Sequence, residues 1–530
     1  MNARINTILR WQEYLFLFFA AITMVGFPFS EALVSISAGF LLVLALVFYF
    51  LSPHVPSSKS RFLMYGFGAI FIVYLIWSLF TNDWQMAIYE LNKVLFWIIF
   101  PLGLYLSPPL SKTKTYLLLL LFVAAVVVSS LIFTVKLFLA DNNEALTIRS
   151  LGFVSNIRFS FQVVLSVILM VWFLIFSGFD VIRKFKWVSI LTIVWLVWFL
   201  FILKSLIGLI AFFGTVTVSA FIYLLRVKNI PLRYGLLTLF LLAAATPVVY
   251  VASVAHQFYA YTEVDRDSVE WITPSGNYYH HDFEQTVREN GHLVFLYISE
   301  DELRRSWNKV GNLDYDSELN GYPLGTTLIR YLTSMGLRKD SVGIAQLTPD
   351  DIEHIERGVT NFRFKNRTFS IYPRVYDTLW ELEQYRSTGD PNNKSLVQRI
   401  EFLKASWILV KQNPWLGVGT GNWVKAYNSV YENSGSRLTP ENRRSSHNQY
   451  LNYIVKFGFV GFIFILAALL FVIVRGRYYR NFILLHFLIA MAIANLGDAN
   501  LETHMGLSFF VFFFSFIAWY MPNCNQKRIG

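Results

Sequence analysis

A series of long apolar stretches constrains the fold of this chain more than any other feature. A helix that crosses a bilayer needs about 20 mostly apolar residues, because each residue advances the helix by only about 1.5 Å. About twelve stretches meet this requirement. They centre on residues 11–27, 32–51, 62–80, 86–106, 115–140, 159–177, 188–203, 205–225, 234–254, 450–474, 482–496 and 507–522. Charged residues make up only 15% of the chain, whereas a soluble domain carries about 25%. The sequence therefore predicts an all-α protein that crosses a membrane many times, with a break at Lys204 between two of the helices.

The positions of Lys and Arg predict how these helices are oriented. Alternate short loops are rich in cations, and the loops between them, such as 81–85 and 497–505, have none. Cytoplasmic loops carry an excess of Lys and Arg, so both ends of the chain are predicted to be cytoplasmic. The prediction divides the chain into helices 1–9 (1–254), an outer loop domain (255–446), and helices 10–12 with a cytoplasmic tail (447–530). The first apolar segment lacks a small-residue cleavage site, so we expect it to be a span rather than a signal peptide.

The outer loop domain is predicted to be mainly helical. Four segments show helical spacing of apolar residues or a helix-start signature: 324–337, 349–355, 374–384 and 395–412. Thr348 and Asp351 form the capping box of the second segment. The loop holds about 25 acidic and about 22 basic residues, and this near balance argues against a nucleic-acid surface. The only cysteine is Cys524 in the tail, so we expect no disulfide in the loop.

Several cations depart from the rule that Lys and Arg stay in cytoplasmic loops. Five of them lie on the predicted outer side, in or close to apolar segments: Lys93, Lys136, Arg149, Arg158 and Lys204. Such a cation is costly in a span and usually faces a cavity or a partner. Lys93 lies three residues after Glu90 and can pair with it on one helix face, and Lys136 can extend to the membrane surface. Taken together, the five suit an anionic group such as a lipid phosphate or pyrophosphate.

Two residues near the end of the loop are candidates for chemistry. His447 lies where the polar segment returns to an apolar helix, and both of its ring nitrogens can handle protons. An interfacial histidine is more often a solvated boundary residue. Arg399 lies on the predicted helix 395–412, beside an apolar stripe of Leu396, Ile400, Leu403 and Trp407. There a guanidinium can present paired donors to phosphate oxygens, although Glu401 or Glu383 is an alternative partner in an ordinary salt bridge.

The segment 413–422 contains three alternate glycines, Gly417, Gly419 and Gly421. A nucleotide-binding loop is excluded because a helix rather than a strand precedes the segment and no Lys-Ser/Thr pair follows it. We expect a tight turn that lets two backbones approach closely. The acidic and histidine residues at 280–282 and 498–504 lack metal-ligand spacing, so no metal site is predicted.

These residues resemble the O-antigen ligase family, within the superfamily of O-antigen ligases and polymerases. His447-Asn448, nine residues, Gly458, two residues and Gly461 is similar to the family motif His-[Asn/Ser/Gln]-x9-Gly-x-x-[Gly/Thr/Tyr]. Arg399 with Leu403 resembles the family's Arg-x-x-x-Leu motif in the large periplasmic loop, and 413–421 resembles its Asn-Pro-x-x-Gly-x-Gly segment. The predicted topology, with about twelve spans and a large loop before the tenth, also fits. The loop is longer than in typical ligases, and the stretch that contains Arg330 looks like the expanded loop of Bacteroidetes members.

The resemblance implies a glycosyltransferase at the outer face of a bacterial inner membrane, with the large loop in the periplasm. It would move a glycan from undecaprenyl pyrophosphate to an acceptor, with lipid A–core oligosaccharide as the ligase acceptor. No cofactor or metal would be needed, and a single displacement would invert the anomeric centre. His447 and Arg399 would be catalytic. The predicted substrate-binding residues are Lys93, Arg158, Lys204, Arg330, Asn448, Gly458 and Gly461.

Three other functions are compatible with these features. A polysaccharide polymerase of the same superfamily uses the same donor with a second lipid-linked glycan. A protein O-oligosaccharyltransferase would transfer the glycan to a polypeptide. A transporter of lipid-linked sugars is disfavoured, since transporters tend to contain paired repeats and this sequence shows none.

Overall fold

The computed structural model describes residues 2–51, 61–139, 151–203, 205–261, 264–319, 321–365 and 372–521. The chain forms two compact units. The first comprises the described residues of Met1–Arg226, Phe402–Gly435 and Arg443–Gly530, and the second those of Val227–Glu401 and Ser436–Asn442. These divisions differ from the segments predicted from topology, because 402–435 and 443–446 lie in the first unit and 227–254 lies in the second.

The first unit is helical throughout its described residues. Its helices before the loop are α1 (Asn2–Phe29), α2 (Glu31–Leu51), α3 (Arg61–Ser78), α4 (Trp84–Val94), α5 (Phe96–Leu106), α6 (Lys112–Leu139), α7 (Asn156–Phe176), α8 (Asp180–Lys184), α9 (Lys186–Ile202) and α10 (Leu206–Leu224). Its later helices are α18 (Trp423–Asn433), α19 (Gln449–Arg475), α20 (Phe482–Gly497) and α21 (His504–Tyr520), together with the second part of α17 (Ser395–Gln412).

The prediction of a polytopic all-α membrane protein is confirmed. Among the described residues, eight helical segments are long and apolar enough to cross a membrane: Arg10–Phe29, Glu31–Leu51, Arg61–Ser78, Trp84–Leu106, Lys112–Leu139, Asn156–Phe176, Leu206–Leu224 and Gln449–Arg475. Four shorter apolar helices occupy the remaining predicted stretches: Lys186–Ile202, Ile230–Leu242, Phe482–Gly497 and His504–Tyr520. The predicted break is also confirmed, since α9 ends at Ile202 and α10 begins at Leu206. Lys204 itself and Arg149 lie outside the described residues.

Helix α21 forms the centre of the first unit. Every residue from Met505 to Trp519 is buried, which is the pattern of a helix surrounded by other helices. Phenylalanine side chains from several helices meet it. Phe122 of α6 lies 4.4 Å from Phe513 between ring centroids, and Phe100 of α5 lies 5.0 Å from Phe512. These tilted and edge-to-face pairs stabilise the packing by roughly 0.5–1.5 kcal/mol each beyond burial.

Helix α19 is broken at Gly458, where the backbone has φ 64° and ψ −176°. This region of backbone space is essentially restricted to glycine. A break in a helix leaves N–H and C=O groups without their usual partners, and such groups must be satisfied when buried. The segment 413–422 supplies the partners on both sides of the break.

Four backbone hydrogen bonds join this segment to α19. After the break, Phe459 N–H donates to the carbonyl of Pro414 at 2.8 Å, and Val460 N–H donates to Trp415 at 3.1 Å. Before the break, Val418 N–H donates to Val455 and Gly419 N–H to Lys456, both at 2.9 Å. A Cβ atom at Gly417 would lie 2.5 Å from the backbone nitrogen of Gly458. The expected close approach of two backbones is therefore observed.

The second unit is mainly helical, as predicted for the loop domain. It contains α11 (Ile230–Tyr259), α12 (Glu300–Val310), α13 (Leu324–Ser334), α14 (Ser341–Ala345), α15 (Pro349–Glu356), α16 (Tyr372–Thr388) and the first part of α17. Two short antiparallel hairpins accompany them, β1 (Arg288–Glu289) with β2 (His292–Leu293) and β3 (Glu318–Leu319) with β4 (Tyr322–Pro323). The capping box of Thr348 and Asp351 at the start of α15 is confirmed. Leu303, Trp307, Leu328, Tyr331 and Leu332 are fully buried and form the centre of one core.

The apolar stripe of α17 was expected to form a buried face, and this prediction is wrong. Leu396, Leu403 and Trp407 are all exposed. Within the first unit, the buried residues of α17 are Phe402, Ala405, Ser406, Leu409 and Val410. The apolar periodicity predicted the helix correctly, but in a membrane protein an apolar face need not be turned toward the protein interior.

We predict that Gly458→Ala destabilises the protein by roughly 2 kcal/mol or more, because φ 64° is unfavourable for alanine and its Cβ would lie 2.1 Å from the carbonyl oxygen of Trp415. Thermal unfolding in detergent checks this. Gly68→Ala in α3 is the matched control, since no atom lies within 4 Å of a Cβ there. Equal melting temperatures for the two variants would contradict the prediction.

Candidate active site

A cavity of about 200 Å³ lies in the first unit. It is lined by side chains from α4, α7, α18, α19 and the segment between α20 and α21. The lining residues are Lys93, Arg158, Trp423, Tyr427, Ser445, His447, Asn452, Val455, Lys456, Asp498, Ala499, Glu502 and Thr503. Cations, carboxylates, a histidine and two aromatic rings therefore converge on one space.

His447 is held at this cavity by the start of α19. The side chain of the next residue, Asn448, accepts a hydrogen bond from Leu451 N–H at 3.0 Å and caps the helix. The same side chain donates to the carbonyl of Leu496 on α20 at 3.0 Å. His447 has φ 49°, a left-handed conformation that is uncommon for a residue with a side chain. Such strain is concentrated at functional sites, and here it lies at the residue that the motif singled out.

Asp498 orients the imidazole of His447. Its Oδ1 lies 3.3 Å from His447 Nδ1, and its Oδ2 lies 2.9 Å from a terminal guanidinium nitrogen of Arg158. Only 4% of the Asp498 side chain is exposed. Burial raises the pKa of Asp498, but the hydrogen bond with His447 and the charge of Arg158 outweigh it and hold the pKa below its usual value. A carboxylate that accepts from Nδ1–H leaves Nε2 as the proton acceptor.

Lys456 is the centre of a second ionic group. Its ammonium lies 2.8 Å from the carboxylate of Glu90 and also contacts Glu502. Glu90 pairs in addition with Lys93 at 2.6 Å, which confirms the predicted pairing on α4. Tyr74 donates its hydroxyl to Glu502 at 3.1 Å. Lys456 is only 3% exposed, so its charge depends on these carboxylates.

The charges around the cavity balance. Three cations, Lys93, Arg158 and Lys456, meet three carboxylates, Glu90, Asp498 and Glu502. Each cation contacts at least one carboxylate. The formal charges of these six groups therefore cancel.

Residues 341–466 match the family model described as O-antigen ligase. This part of the chain is similar to O-antigen ligases. The predicted resemblance is thereby confirmed, and the matched range contains Arg399, the segment 413–422 and the stretch from His447 to Gly461. A search of curated proteins finds no match to the chain. Over this range the chain is similar to the superfamily of O-antigen ligases and polymerases.

Three of the predicted site residues line the cavity. His447 belongs to the matched range, whereas Arg158 and Lys93 lie outside it. In contrast, the glycines of the motif serve packing. Gly458 allows the break in α19, and a Cβ at Gly461 would lie 3.1 Å from the ring of Trp77 on α3. Asn448 caps α19 as described above.

Two further predicted residues lie in the second unit. Arg330 is buried, pairs with Glu289 at 2.6 Å, and lies 3.8 Å above the ring of Trp380. Its guanidinium thus contributes to the loop domain's own packing. Arg399 lies on α17 and is half-buried. Lys136 is another of the five cations predicted on the outer side. It is exposed, and its ammonium lies 4.5 Å above the ring of Phe153, so it does not belong to the group at the cavity.

The most important residue that sequence reasoning missed is Lys456. A lysine within an apolar helix is a signal in itself, because an ionisable residue in a span is usually functional or paired. Its partners could not be read from the sequence, since Glu90 lies 366 residues away. Trp423 and Tyr427 carried no signal of their own.

We predict that Lys456→Met destabilises the protein by about 3–5 kcal/mol, because it leaves the buried Glu502 carboxylate without its cation. Thermal unfolding in detergent measures the loss. Adding Glu502→Gln should restore part of the stability, since it removes the unpaired charge. Lys425→Met is the control, because that lysine is 71% exposed and its pair with Asp83 contributes at most about 1 kcal/mol. Equal losses for the two lysines would contradict the prediction.

Proposed function

We propose that this protein transfers an O-antigen-type glycan from undecaprenyl pyrophosphate to lipid A–core oligosaccharide at the outer face of a bacterial inner membrane. The loop of residues 255–446 would lie in the periplasm. The observation that carries the proposal is the imidazole of His447, a residue of the matched range, which a buried carboxylate orients at the cavity. The donor's sugar already carries a pyrophosphate leaving group, so the transfer needs neither a nucleotide nor a cofactor.

In the proposed reaction, His447 acts as the general base. Nε2 takes the proton of an acceptor hydroxyl while that oxygen attacks the anomeric carbon of the donor glycan. The bond between the anomeric carbon and the pyrophosphate oxygen breaks, and the undecaprenyl pyrophosphate leaves with the electron pair. A single displacement of this kind inverts the anomeric centre. A positioned general base contributes roughly 10²–10⁴ in rate.

Asp498 acts through His447. Its carboxylate fixes the tautomer that exposes Nε2, and it stabilises the imidazolium that forms when the proton is taken. Arg158 in turn holds the carboxylate in place through its ion pair at 2.9 Å. We therefore propose Asp498 and Arg158 as positioning residues. That Arg158 and Lys93 also bind phosphate stays a prediction, since each already pairs with a carboxylate of the protein.

We predict that His447→Ala lowers kcat about 10²–10⁴-fold in purified protein supplied with both lipid substrates. Asp498→Asn keeps the shape but removes the charge that stabilises the imidazolium, so we expect kcat to fall at least about tenfold. Glu432→Gln on α18 is the control, because its carboxylate is 63% exposed and pairs only with Arg443 among the described residues. Transfer at the wild-type rate by folded His447→Ala would refute the role of the imidazole.

For Arg399 we propose a role in binding the donor's pyrophosphate. The alternative of an ordinary salt bridge lacks support, since Arg399 has no ion pair within the part of the chain that the structure describes. The two suggested partners are engaged elsewhere. Glu401 accepts from the hydroxyl of Tyr385 at 2.7 Å, and Glu383 pairs with Arg386 at 3.6 Å.

We predict that Arg399→Lys raises the KM for the donor about tenfold or more, because lysine keeps the charge but loses the paired donors of the guanidinium. The melting temperature should change little. Initial rates at varied donor concentration measure the effect. Arg386→Lys is the control, since that residue is 72% exposed on the neighbouring helix α16. Unchanged donor kinetics would refute pyrophosphate binding by Arg399.

The glycan profile of a deletion strain separates this proposal from the other functions of the superfamily. Loss of long chains from lipopolysaccharide, with polymer left on the lipid carrier, supports a ligase. Single repeat units attached to the core would identify a polymerase. Loss of glycan from proteins, with lipopolysaccharide unchanged, would identify a protein O-oligosaccharyltransferase.

A further inference from the structure

The wall of the cavity that is formed by α18 is aromatic. Trp423 and Tyr427 both line it, with their rings edge-to-face at 6.3 Å and 84°. The ammonium of Lys456 lies 4.8 Å from the centre of the Trp423 ring, and Tyr427 shares a hydrogen bond of 2.7 Å with Ser406. The indole is thus held in a fixed plane at the cavity.

The backbone that carries Trp423 is also fixed. Asn422, just before α18, accepts from the hydroxyl of Thr81 at 2.9 Å and from Asn82 N–H at 3.0 Å. Its amide donates to the carbonyl of Val418 at 3.0 Å. These bonds tie the start of α18 to the segment between α3 and α4, so Trp423 is preorganised for a ligand rather than free to adapt.

One polar atom of this wall has no partner. The Nε1–H of Trp423 is buried, yet it makes no hydrogen bond to any described residue. Indole nitrogens usually find a partner when buried, because an unsatisfied donor costs free energy. Tyr427 is satisfied by Ser406. Because this N–H has almost no accessible surface, the part of Trp423 that a ligand in the cavity can contact is its aromatic ring.

The charge of the site determines which ligand suits it. Each of its three cations already pairs with a carboxylate of the protein, so none of them is free for a pyrophosphate alone. Asp498 and Glu502 would repel an anion placed among them. A neutral group that combines apolar faces with hydroxyls has no such penalty.

The volume also matches a single ring. A cavity of roughly 150 Å³ holds a benzene molecule, and this cavity measures about 200 Å³. Its space therefore suits one sugar ring. His447 lines the same space, so a hydroxyl of that ring can reach the general base.

We propose that the cavity binds one neutral sugar ring of the acceptor glycan, and that Trp423 recognises it through its aromatic face. This inference rests on the proposed glycan transfer and deepens it. It assigns the Trp423 wall to the acceptor rather than to the donor's pyrophosphate. Trp423 is therefore a specificity-determining residue whose contact is made equally before and during the reaction.

Steady-state kinetics of the full-length protein in detergent test this assignment. Rough lipopolysaccharide serves as acceptor and undecaprenyl-pyrophosphate-linked glycan as donor, and each is varied in turn. Trp423→Phe replaces the indole by a smaller aromatic face, so we expect the acceptor KM to rise about five- to tenfold with kcat and donor KM unchanged. Trp407→Phe, at an exposed tryptophan on α17, should leave all three values at the wild-type level. An unchanged acceptor KM, or a raised donor KM, would overturn the assignment.

A second measurement uses the wild-type protein and covers the case in which Trp423→Phe does not fold. Inorganic pyrophosphate should inhibit in competition with the donor only. Competition with rough lipopolysaccharide would show that the cavity binds the anion and would overturn the proposal. If the wild type transfers no glycan at all, the proposed function fails, and direct binding then decides this proposal. Rough lipopolysaccharide should still bind wild type about five- to tenfold more tightly than Trp423→Phe, and equal affinities would overturn it.

Discussion

The backbone pairing between the segment 413–422 and the break in α19 is the interaction on which the site depends. A transmembrane helix cannot be broken unless its freed backbone groups find other partners. Four hydrogen bonds, two before Gly458 and two after it, provide these partners. The pairing also fixes three parts of the site at once. Lys456 precedes the break, His447 lies two residues before the same helix begins, and Trp423 follows the paired segment on α18. The glycines of the motif therefore act by shape, and ionisable residues around them meet at one cavity.

The second constraint is electrostatic: buried charges must be paired. Moving a charge away from water costs several kcal/mol unless an opposite charge or a hydrogen bond compensates it. This protein places three cations at one cavity, and each of them contacts a carboxylate. Some of these pairs join helices that are far apart in sequence, as Lys456 on α19 joins Glu90 on α4. The same pairs therefore hold helices together, leave the cavity neutral and place Asp498 where it can orient His447.

The sequence predicted features that depend on local patterns. Apolar length identified the helices, Thr348 with Asp351 identified the start of α15, and the alternating glycines identified a close backbone approach. Features that depend on contacts between residues far apart in the sequence could not be predicted from local patterns. The apolar stripe of α17 shows the difference, because periodicity reports that a face is apolar but not whether protein covers it, and Leu403 and Trp407 are exposed. Cations at the outer side predicted an anion site, but only the structure shows that carboxylates of the chain itself already pair with Lys93 and Arg158.

The balance of charge has a consequence for the proposed catalysis. An enzyme accelerates a reaction only through interactions that strengthen between the ground state and the transition state. A neutral cavity attracts the acceptor hydroxyl without holding an anion tightly in the ground state. When His447 takes the proton, the site gains one positive charge beside Asp498, while the departing pyrophosphate gains negative charge. The attraction between these two charges therefore grows as the bond to the leaving group breaks. A permanent cation beside the leaving group would gain attraction in the same way, but it would also bind the donor's pyrophosphate in the ground state.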